Sequence, residues 1–282
     1  MPERISSRNA RFQQWQALLS SRRKRQQAGE FLVHGVRPIT LAVRHDWPLH
    51  ALLYDADRRL SRWAADTLRS VDGRQRIAVA RELLAELGEK DEDSPELIAV
   101  AALPADDLGR VPSSADLRVL VFDRPSSPGN IGTLIRSADA FGATALIVTG
   151  HAADPYDPKS VRASTGSLFA VPVVRVASPA SVRDWLRGTG IPAVIVGLDE
   201  TGQADIGARD LTGPIVLVVG NETTGLSAAW KAECDVLLRI PMTGSASSLN
   251  AATAGTIALY ETARQRTPLF VPESSGWVRS LA

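Results

Sequence analysis

Residues 215–227 have the sequence Ile-Val-Leu-Val-Val-Gly-Asn-Glu-Thr-Thr-Gly-Leu-Ser, in which five consecutive apolar residues precede a polar loop with a glycine near each end. A short continuous apolar run is typical of a strand buried on both faces of a parallel sheet. Similar runs occur at 118–122, 145–148, 171–176, 193–197 and 236–240, with helical patterns at 131–141, 180–186 and 250–264. We therefore predict an α/β domain with a doubly wound, mostly parallel sheet over residues 117–265.

The N-terminal part of the chain predicts a second, smaller α/β domain. Residues 8–28 place Phe12, Trp15, Leu18 and Leu19 at helical spacing, which indicates one amphipathic helix that ends at Gly29. Further helices are predicted at 36–44, 60–70 and 82–87, and strands at 51–54, 77–79 and 97–101. This domain is assigned residues 1–103, followed by a linker rich in Pro, Ser and Asp at 104–116; an irregular tail is predicted at 266–282.

The composition excludes several classes of protein. Of 282 residues, 44% are hydrophobic and 22% are charged, which is typical of a globular protein and not of a fibrous or mostly disordered one. The single cysteine, Cys234, excludes a disulfide framework and a cysteine-based zinc site. The N-terminus has no apolar signal region, and no apolar run is long enough to cross a bilayer. These features predict a soluble cytoplasmic protein that neither associates with a membrane nor binds a metal ion.

The charge is unevenly distributed along the chain. The formal net charge is only +1, but residues 1–50 hold nine Lys or Arg against three Asp or Glu, a net of +6. Residues 81–110 hold three against nine, a net of −6. Basic segments of this kind favour contact with nucleic acid phosphates, although a solvated basic helix is the alternative interpretation.

Polar segments follow three of the predicted strands, at the sheet edge where ligands of open α/β sheets bind. The first runs from Asp123 to Arg136 and contains Asn130. Taken alone, it predicts a helix capped by Asn130 and an arginine that points into solvent. The functional interpretation puts Asn130 and Arg136 at one edge of a pocket, with the guanidinium facing a phosphate.

The second segment, residues 220–227, nearly matches the phosphate-binding loop G-x-x-x-x-G-K-[ST]. Leu226 stands where that motif requires lysine, which argues against a nucleoside triphosphatase, and the dinucleotide fingerprint G-x-G-x-x-G is absent. What remains is a loop whose glycines allow close approach of a ligand, together with one acidic residue, Glu222.

The third segment, Ile-Pro-Met-Thr-Gly-Ser-Ala-Ser-Ser-Leu-Asn at 240–250, runs into an Ala- and Thr-rich helix. Its small residues permit tight packing around a ligand, and Asn250 is placed at the start of that helix. A simple capping loop between strand and helix is the alternative.

In this order and at these spacings, the three segments resemble the signatures of the SpoU (TrmH) family of RNA ribose 2′-O-methyltransferases, which belong to the SPOUT class. N-x-G-x-x-x-R corresponds to Asn130–Arg136, G-N-E-x-x-G-[LI]-S to Gly220–Ser227, and I-P-M…S-L-N to Ile240–Asn250. The resemblance covers residues 117–265. The N-terminal half further resembles the branch that confers resistance to antibiotics such as avilamycin, as do the stretches HAADPYDPKSVRASTGSLF and IPMTGSASSLNAA.

The resemblance implies a trefoil knot, bound S-adenosyl-L-methionine, a homodimer with composite active sites and an rRNA substrate. It implies a catalytic group made of Asn130, Arg136, Glu222 and Asn250. It implies cofactor contacts at Gly220, Asn221, Ile240, Met242, Ser248 and Leu249. RNA contacts are predicted at Arg8, Arg11, Arg22, Arg23, Lys24, Arg25, Arg162 and Ser164; Phe12 and Trp15 are expected in the core rather than on a base.

The chemistry of this reaction suits these residue types. The acceptor is a ribose hydroxyl, which is a poor nucleophile while protonated, and a nearby arginine can activate it electrostatically or hold the adjacent phosphate. Arginine is a doubtful base because its pKa exceeds about 12. We expect Asn130 and Asn250 to position the ribose, and Glu222 to orient Arg136 or a neighbouring amide.

The predicted function is therefore 2′-O-methylation of one ribose in large-subunit (23S) rRNA, and the resemblance to the resistance branch implies protection against a ribosome-targeting antibiotic. Two alternatives stay open at this point. One is the same reaction on tRNA or on a housekeeping rRNA site, and the other is a non-catalytic RNA-binding or ribosome-assembly protein.

Overall fold

The computed structural model describes residues 4–55, 57–71, 75–89 and 94–266, which form two sheets with flanking helices. The first sheet and its helices comprise β1 (Arg4–Ile5), α1 (Ala10–Ser20), α2 (Arg22–Ala28), β2 (Glu30–His34), α3 (Val36–Arg44), β3 (Leu49–Asp55), α4 (Arg62–Ser70), β4 (Gln75–Val79), α5 (Arg81–Gly88) and β5 (Leu97–Ala102). The strand order is β1-β4-β3-β5-β2. Strands β1, β4 and β3 are parallel, whereas β5 is antiparallel to both β3 and β2.

Two features of this first unit differ from the sequence-based expectation. The single helix predicted for residues 8–28 is two helices, because Ser21 adopts an extended conformation and its side chain accepts a hydrogen bond from the Lys24 amide at the start of α2. Strands β1 and β2 were not predicted, although β1 pairs with β4 and the apolar residues of β2 pair with β5 in the sheet. The stop at Gly29 is confirmed, since its φ of +65° ends α2 in the left-handed conformation.

The second sheet and its helices make up the rest of the described chain. They comprise β6 (Arg118–Asp123), α6 (Pro128–Ala140), β7 (Ala145–Thr149), α7 (Pro158–Ala163), β8 (Val173–Val176), α8 (Pro179–Thr189), β9 (Val194–Leu198), β10 (Ala204–Asp205), β11 (Ile215–Val219), α9 (Ala228–Glu233), β12 (Val236–Arg239) and α10 (Ala251–Arg266). The seven strands are ordered β10-β12-β9-β11-β6-β7-β8, and all their pairings are parallel. Every residue of β7 and β11 is buried, as predicted from their apolar runs.

The order of the strands fixes where a site can form. From β6 the chain adds β7 and β8 on one side, and β9 to β12 on the other. Strands β6 and β11 are neighbours across this reversal, so the loops that follow them begin side by side at the carboxyl edge of the sheet. In open parallel sheets this reversal point is where ligands bind.

The two units pack against each other through aromatic side chains. The Phe31 ring of β2 lies 5.0 Å from the Tyr156 ring, and the Trp47 ring lies 5.2 Å from the Phe169 ring, measured between centroids. One buried apolar cluster therefore includes residues of both sheets. This contact holds the N-terminal unit in a defined position beside the carboxyl edge of the second sheet.

The two sheets fall within the predicted ranges 1–103 and 117–265; those domain boundaries, the linker at 104–116 and the trefoil knot stay predictions. The tail predicted at 266–282 lies outside the described residues, apart from Arg266, the last residue of α10. None of the helices in the described ranges has both the length and the apolar character that a membrane crossing requires.

Candidate active site

The loops after β6 and β11 are tied together by the last residue of β6. Asp123 is 2% exposed, and its Oδ2 accepts a hydrogen bond from the Ser227 amide at 2.8 Å. Its Oδ1 lies 3.4 Å from the Thr149 hydroxyl, which also accepts from Trp230 Nε1 at 2.9 Å. These buried contacts fix the spacing between the two loops that carry the first and second polar segments.

Glu222, in the loop after β11, is the centre of the hydrogen bonding between these loops. Its Oε1 accepts from Asn130 Nδ2 at 3.0 Å and from the Ser127 amide at 3.1 Å. Its Oε2 accepts from the amide and the hydroxyl of Ser126 at 3.0 and 2.9 Å. Glu222 thus orients the Asn130 amide, which was one of the two predicted roles; it has no contact with Arg136.

The protonation state of Glu222 follows from these contacts. Partial burial would raise the pKa of the Glu222 carboxyl, but hydrogen bonds from the Ser126 amide and the Asn130 side chain outweigh that effect. Its pKa therefore lies below the ordinary value of 4.5. At neutral pH the group is an anion whose two oxygens are already engaged by donors.

The contacts of Glu222 also determine the orientation of two asparagine side chains. A carboxylate can only accept, so Nδ2 of Asn130 faces Glu222 and Oδ1 faces Nδ2 of Asn250, 3.3 Å away. Oδ1 of Asn250 accepts from the Ala252 and Thr253 amides at 2.9 and 3.3 Å. We call this row of three side chains, Glu222, Asn130 and Asn250, the polar row.

The two asparagines have different relations to their helices. The expectation that Asn130 caps its helix is wrong, because the side chain of Ser127 is the cap and Asn130 lies inside the first turn of α6. Asn250 does cap α10, as its position at the start of that helix predicted. Asn130 is therefore free to bridge Glu222 and Asn250.

Arg136 lies on α6, six residues after Asn130. It is exposed, and no described residue accepts a hydrogen bond from its guanidinium. By contrast, many of the other arginines in the described chain have a carboxylate or carbonyl partner, as Arg118 has in Asp116 and Arg183 has in Glu233. The donors of Arg136 are available to a bound molecule.

Gly220 and Asn221 shape the loop in which they lie. A side chain at Gly220 would place its Cβ 2.3 Å from the carbonyl carbon of Gly225, so only glycine fits there. The backbone of Asn221 pairs with that of Gly225 through two hydrogen bonds of 3.0 Å. Its side chain donates to the Arg124 carbonyl and accepts from the amides of Thr223 and Thr224. The polar atoms of Asn221 are thus used within the protein.

The loop at residues 241–250 is exposed along its whole length. Of the five large hydrophobic residues that are exposed in the described chain, two lie in this loop, Met242 at 40% and Leu249 at 36%. Ile240, half-buried at the end of β12, and the exposed Ser248 complete the predicted cofactor contacts in this segment. Exposed apolar side chains of this kind suit contact with the adenosine part of S-adenosylmethionine.

The prediction that Arg25 contacts RNA is wrong. Arg25 is 2% exposed and forms an ion pair with Asp154 at 2.7 Å, while its Nη1 donates to the Leu18 carbonyl at 2.6 Å. Asp154 is also buried, at 8% exposure. Arg25 therefore joins α2 to the loop after β7 and has no surface for a phosphate.

The other predicted cations of the N-terminal segment are on the surface. Arg23 and Lys24 are exposed without an acceptor among the described residues, and Arg22 donates to the Ala152 carbonyl at 2.9 Å. Arg8 pairs with Glu86, and Arg11 lies over the Trp15 ring at 5.3 Å. The aromatic residues Phe12 and Trp15 are buried, at 0% and 4% exposure, so their predicted place in the core is confirmed.

The two remaining predicted RNA contacts lie on or after α7. Ser164 is fully buried and its hydroxyl donates to the Val161 carbonyl at 2.8 Å, so the prediction of a ligand contact there is wrong for its side chain. Arg162 is partly exposed and pairs with Glu89 at 2.7 Å. This segment packs on α6, where a Cβ at Gly132 would lie 2.3 Å from the Ser160 carbonyl oxygen.

Sequence reasoning missed Ser126 and Ser127, which supply three of the five hydrogen bonds that Glu222 accepts; the side chains of Asn130 and Asn221 supply the other two. The signal was present in the Ser-Ser-Pro run before α6, because serine followed by proline is typical of a helix start. Among the described residues, no group of three His, Cys, Asp or Glu side chains is placed to hold a metal ion.

Comparison with known protein families gives two matches. The SpoU rRNA Methylase family matches residues 117–260, and the SpoU L30e-like domain matches residues 9–99. Among curated proteins, the 23S rRNA (uridine(2479)-2'-O)-methyltransferase of Streptomyces viridochromogenes is 62% identical over 266 residues, which cover 93% of this chain and 92% of that protein. The 23S rRNA (guanosine-2'-O-)-methyltransferase RlmB of Pseudomonas putida is 36% identical over 52% of this chain and 59% of its own length.

Solved structures give the same result over nearly the whole chain. The SpoU methyltransferase AviRb from Streptomyces viridochromogenes, in complex with the cofactor AdoMet, matches with a TM-score of 0.88 and 61% identity, over 92% of this chain and 98% of that one. An AdoMet-bound rRNA methyltransferase from Sinorhizobium meliloti matches with a TM-score of 0.84 and 27% identity, over 94% of this chain and 99% of that one.

Proposed function

The chain belongs to the SpoU rRNA methylase family, and we propose that it transfers the methyl group of S-adenosylmethionine to the 2′-hydroxyl of one ribose in 23S rRNA. The observation that carries this proposal is the polar row on one side of the site, with Arg136, which has no acceptor among the described residues, further along the same helix as Asn130. The row can position a neutral hydroxyl, and the arginine can stabilise negative charge on it.

The cofactor fits the loops at the carboxyl ends of β11 and β12. S-adenosylmethionine supplies a methyl group that its sulfonium has already activated, so the protein has to bind it and align it with the acceptor. We assign the adenosine to the backbone of Gly220, Ile240 and Leu249, with Met242 and Ser248 beside it. Asn221 serves this site by holding the loop that contains Gly220 in shape.

We assign Arg136 the role of electrostatic activator. Its guanidinium stays protonated and so does not remove the hydroxyl proton, which passes instead to water or to the adjacent RNA phosphate as the oxygen–methyl bond forms. A fixed positive charge beside the ribose lowers the free energy of the developing oxyanion and can hold the neighbouring phosphate. The absence of a protein acceptor among the described residues leaves all its donors for this purpose.

We assign Asn130 and Asn250 the role of positioning the ribose. Each keeps hydrogen-bonding capacity after the contacts within the polar row, since an amide group offers two donors and two lone pairs. Glu222 fixes the orientation of both and does not act as a base, because its oxygens are engaged and its pKa is lowered. Holding hydroxyl and methyl donor in line converts an encounter into an aligned displacement.

We assign rRNA binding to the N-terminal unit. Arg22, Arg23 and Lys24 lie on the surface of α2, and contact with phosphates is what such a group favours. Arg8, Arg11 and Arg162 remain candidates for further contacts, although each already has a protein partner. The requirement for a 2′-hydroxyl makes the reaction specific for RNA.

We infer further that two copies of the chain form the working enzyme. Tyr260 of α10 is 53% exposed and packs edge-on against Phe141 at the C-terminal end of α6, which leaves an exposed aromatic surface between these two helices. The enzyme works in the cytoplasm, where rRNA is made. The methyl group it adds protects the ribosome against an antibiotic that binds near the modified nucleotide.

The test is transfer of labelled methyl from S-adenosylmethionine to total RNA from cells that lack this enzyme, followed by mapping of the modified nucleotide. Label at a single 2′-O-methylated ribose of 23S rRNA is the expected result. Label confined to tRNA would overturn the substrate. Cofactor binding without incorporation into rRNA or into assembled subunits would favour the non-catalytic alternative.

A further inference from the structure

A cavity of about 620 Å³ lies beside the polar row, next to the loop that contains Asn221, and the function proposed above gives it no ligand. It opens between the loop after β6 and the loop after β7. Its lining includes Arg124, Ser126, His151, Ala153 and Thr224. We call it the Arg124 pocket.

Arg124 is held in an unusual conformation at the wall of this pocket. Its φ of +48° is in the left-handed region, which residues other than glycine rarely adopt and which concentrates at functional sites. Its Nε donates to the Asp123 carboxylate at 3.2 Å, and its Nη2 donates to the Gly225 carbonyl at 3.2 Å. No described residue accepts from Nη1. The guanidinium is thus fixed at both loops, with one donor nitrogen left for a ligand.

One wall of the Arg124 pocket is shared with the polar row. Ser126, which lines the pocket, donates both its amide and its hydroxyl hydrogen to Glu222, and Glu222 holds Asn130. The pocket is therefore separated by a single residue from the side chains that we assign to the ribose. A ligand in it would lie directly beside the nucleotide that is methylated.

The opposite wall connects the pocket to the N-terminal unit. The carbonyl of Ala152, another lining residue, accepts from Arg22 Nη1 at 2.9 Å. Arg22 begins α2, and the exposed Arg23 and Lys24 follow it. The pocket thus lies between the polar row and the cations that we assign to RNA phosphates, on the path that a bound strand would take.

We propose that the Arg124 pocket binds one nucleotide of the RNA that flanks the methylated one, and this rests on the proposed function. Its volume is in the usual range for small-molecule sites, and its walls combine apolar Pro125 and Ala153 with the polar Arg124 and His151. Unpaired RNA bases are recognised by stacking on imidazole or guanidinium planes and by hydrogen bonds to their edges. His151, which is exposed, and the remaining donor of Arg124 supply these contacts.

The test uses an rRNA fragment that contains the mapped nucleotide, together with a series in which one flanking position at a time is abasic. Wild type, His151→Ala and Arg124→Lys are compared. His45→Ala is the control, because His45 is an exposed histidine at the C-terminal end of α3 and does not line the pocket. We expect both pocket variants to weaken binding of the intact fragment about five- to a hundredfold, the usual value of one stacked base. His45→Ala should bind like wild type.

The abasic series decides between a specific subsite and a general loss. At one flanking position, the missing base should weaken RNA binding by the wild-type protein. On that same fragment, the pocket variants should bind as tightly as wild type does. Equal losses for the variants on every fragment would overturn the proposal, and so would a loss of affinity for S-adenosylmethionine, which would assign the pocket to the cofactor. Binding is measured by fluorescence anisotropy, so the result is independent of whether methyl transfer occurs and of the outcome of the labelling experiment.

Discussion

Glu222 and Asn130 are 92 residues apart in the chain, yet Oε1 of the carboxylate lies 3.0 Å from Nδ2 of the amide. The parallel pairing of β6 with β11 brings the two loops together, and Asp123 holds them at this spacing. Because Glu222 can only accept, it sets which atom of Asn130 faces Asn250 and the bound ribose.

This relationship predicts a pH-dependent contribution of Glu222 to stability. The pKa of Glu222 is lower in the folded protein than its ordinary 4.5, so the unfolded chain binds more protons in acid. The stabilisation is present above about pH 4.5 and is lost as the pH falls through the folded pKa. We expect the difference in free energy of unfolding between wild type and Glu222→Gln, measured in urea, to shrink from pH 7 to pH 3.5. A difference that stays constant over this range would contradict the account.

Substitution of Gly132 should disturb the packing between α6 and α7. In Gly132→Ala the new Cβ would lie 2.3 Å from the Ser160 carbonyl oxygen and 2.7 Å from the Ala163 Cβ, so α6 and α7 must separate. We expect a loss of about 1–3 kcal/mol in the free energy of unfolding. Gly129→Ala in the same helix is the control, because its Cβ would meet only the Ser127 hydroxyl at 3.6 Å. That variant should equal wild type or gain up to about 1 kcal/mol; equal losses for both would refute the packing argument.

The buried ion pair of Arg25 and Asp154 predicts a large effect on stability. Arg25→Met leaves the Asp154 carboxylate buried without its partner, and removal of one member of a buried pair costs about 3–5 kcal/mol. Arg23→Met, two residues earlier on the exposed face, should change the free energy of unfolding by less than about 0.5 kcal/mol. Denaturant unfolding of the two variants checks this, and similar values for both would show that the pair contributes little.

The surface cations of α2 predict the salt dependence of RNA binding. Each phosphate contact that Arg22, Arg23 or Lys24 makes should contribute about 0.7–0.9 to the slope of log affinity against log salt. The triple alanine variant is expected to flatten that slope, and Arg187→Ala on α8 should leave it unchanged. Binding titrations at several salt concentrations measure it. An unaltered slope in the triple variant would mean that this face of α2 is only solvated.

Six of the seven strands in the described second sheet could be predicted, since burial leaves a continuous apolar run in the sequence; the two-residue strand β10 was missed because it has no such run. The strand at 215–219 has the predicted bounds. The N-terminal unit was harder to predict, because the helical pattern of residues 8–28 continues through Ser21, where the chain adopts an extended conformation. Strand β2 follows α2 directly and contains only five residues, so no periodicity marked it. Helix α7, with six residues, is also too short for a pattern.

The residues of the site could be placed in one region by their position after strands, but their contacts could not be assigned. The sequence reads Arg-Arg-Lys-Arg at 22–25, and nothing local shows that the fourth cation points inward. Its partner Asp154 is 129 residues away and becomes its neighbour only when the two sheets pack. Likewise, the sequence could not show whether Glu222 orients Arg136 or a neighbouring amide, because that contact depends on the tertiary structure.

The measurement that tests the central claim most directly is the single-turnover rate of methyl transfer to 23S rRNA by wild type, Arg136→Ala and Arg136→Lys. If Arg136 stabilises charge on the ribose oxygen, Arg136→Ala should lower the rate about 10²–10³-fold while the Kd for S-adenosylmethionine changes only a few fold. Arg136→Lys should retain part of the rate, because the charge remains. An unchanged rate in Arg136→Ala would contradict the mechanism proposed for this site.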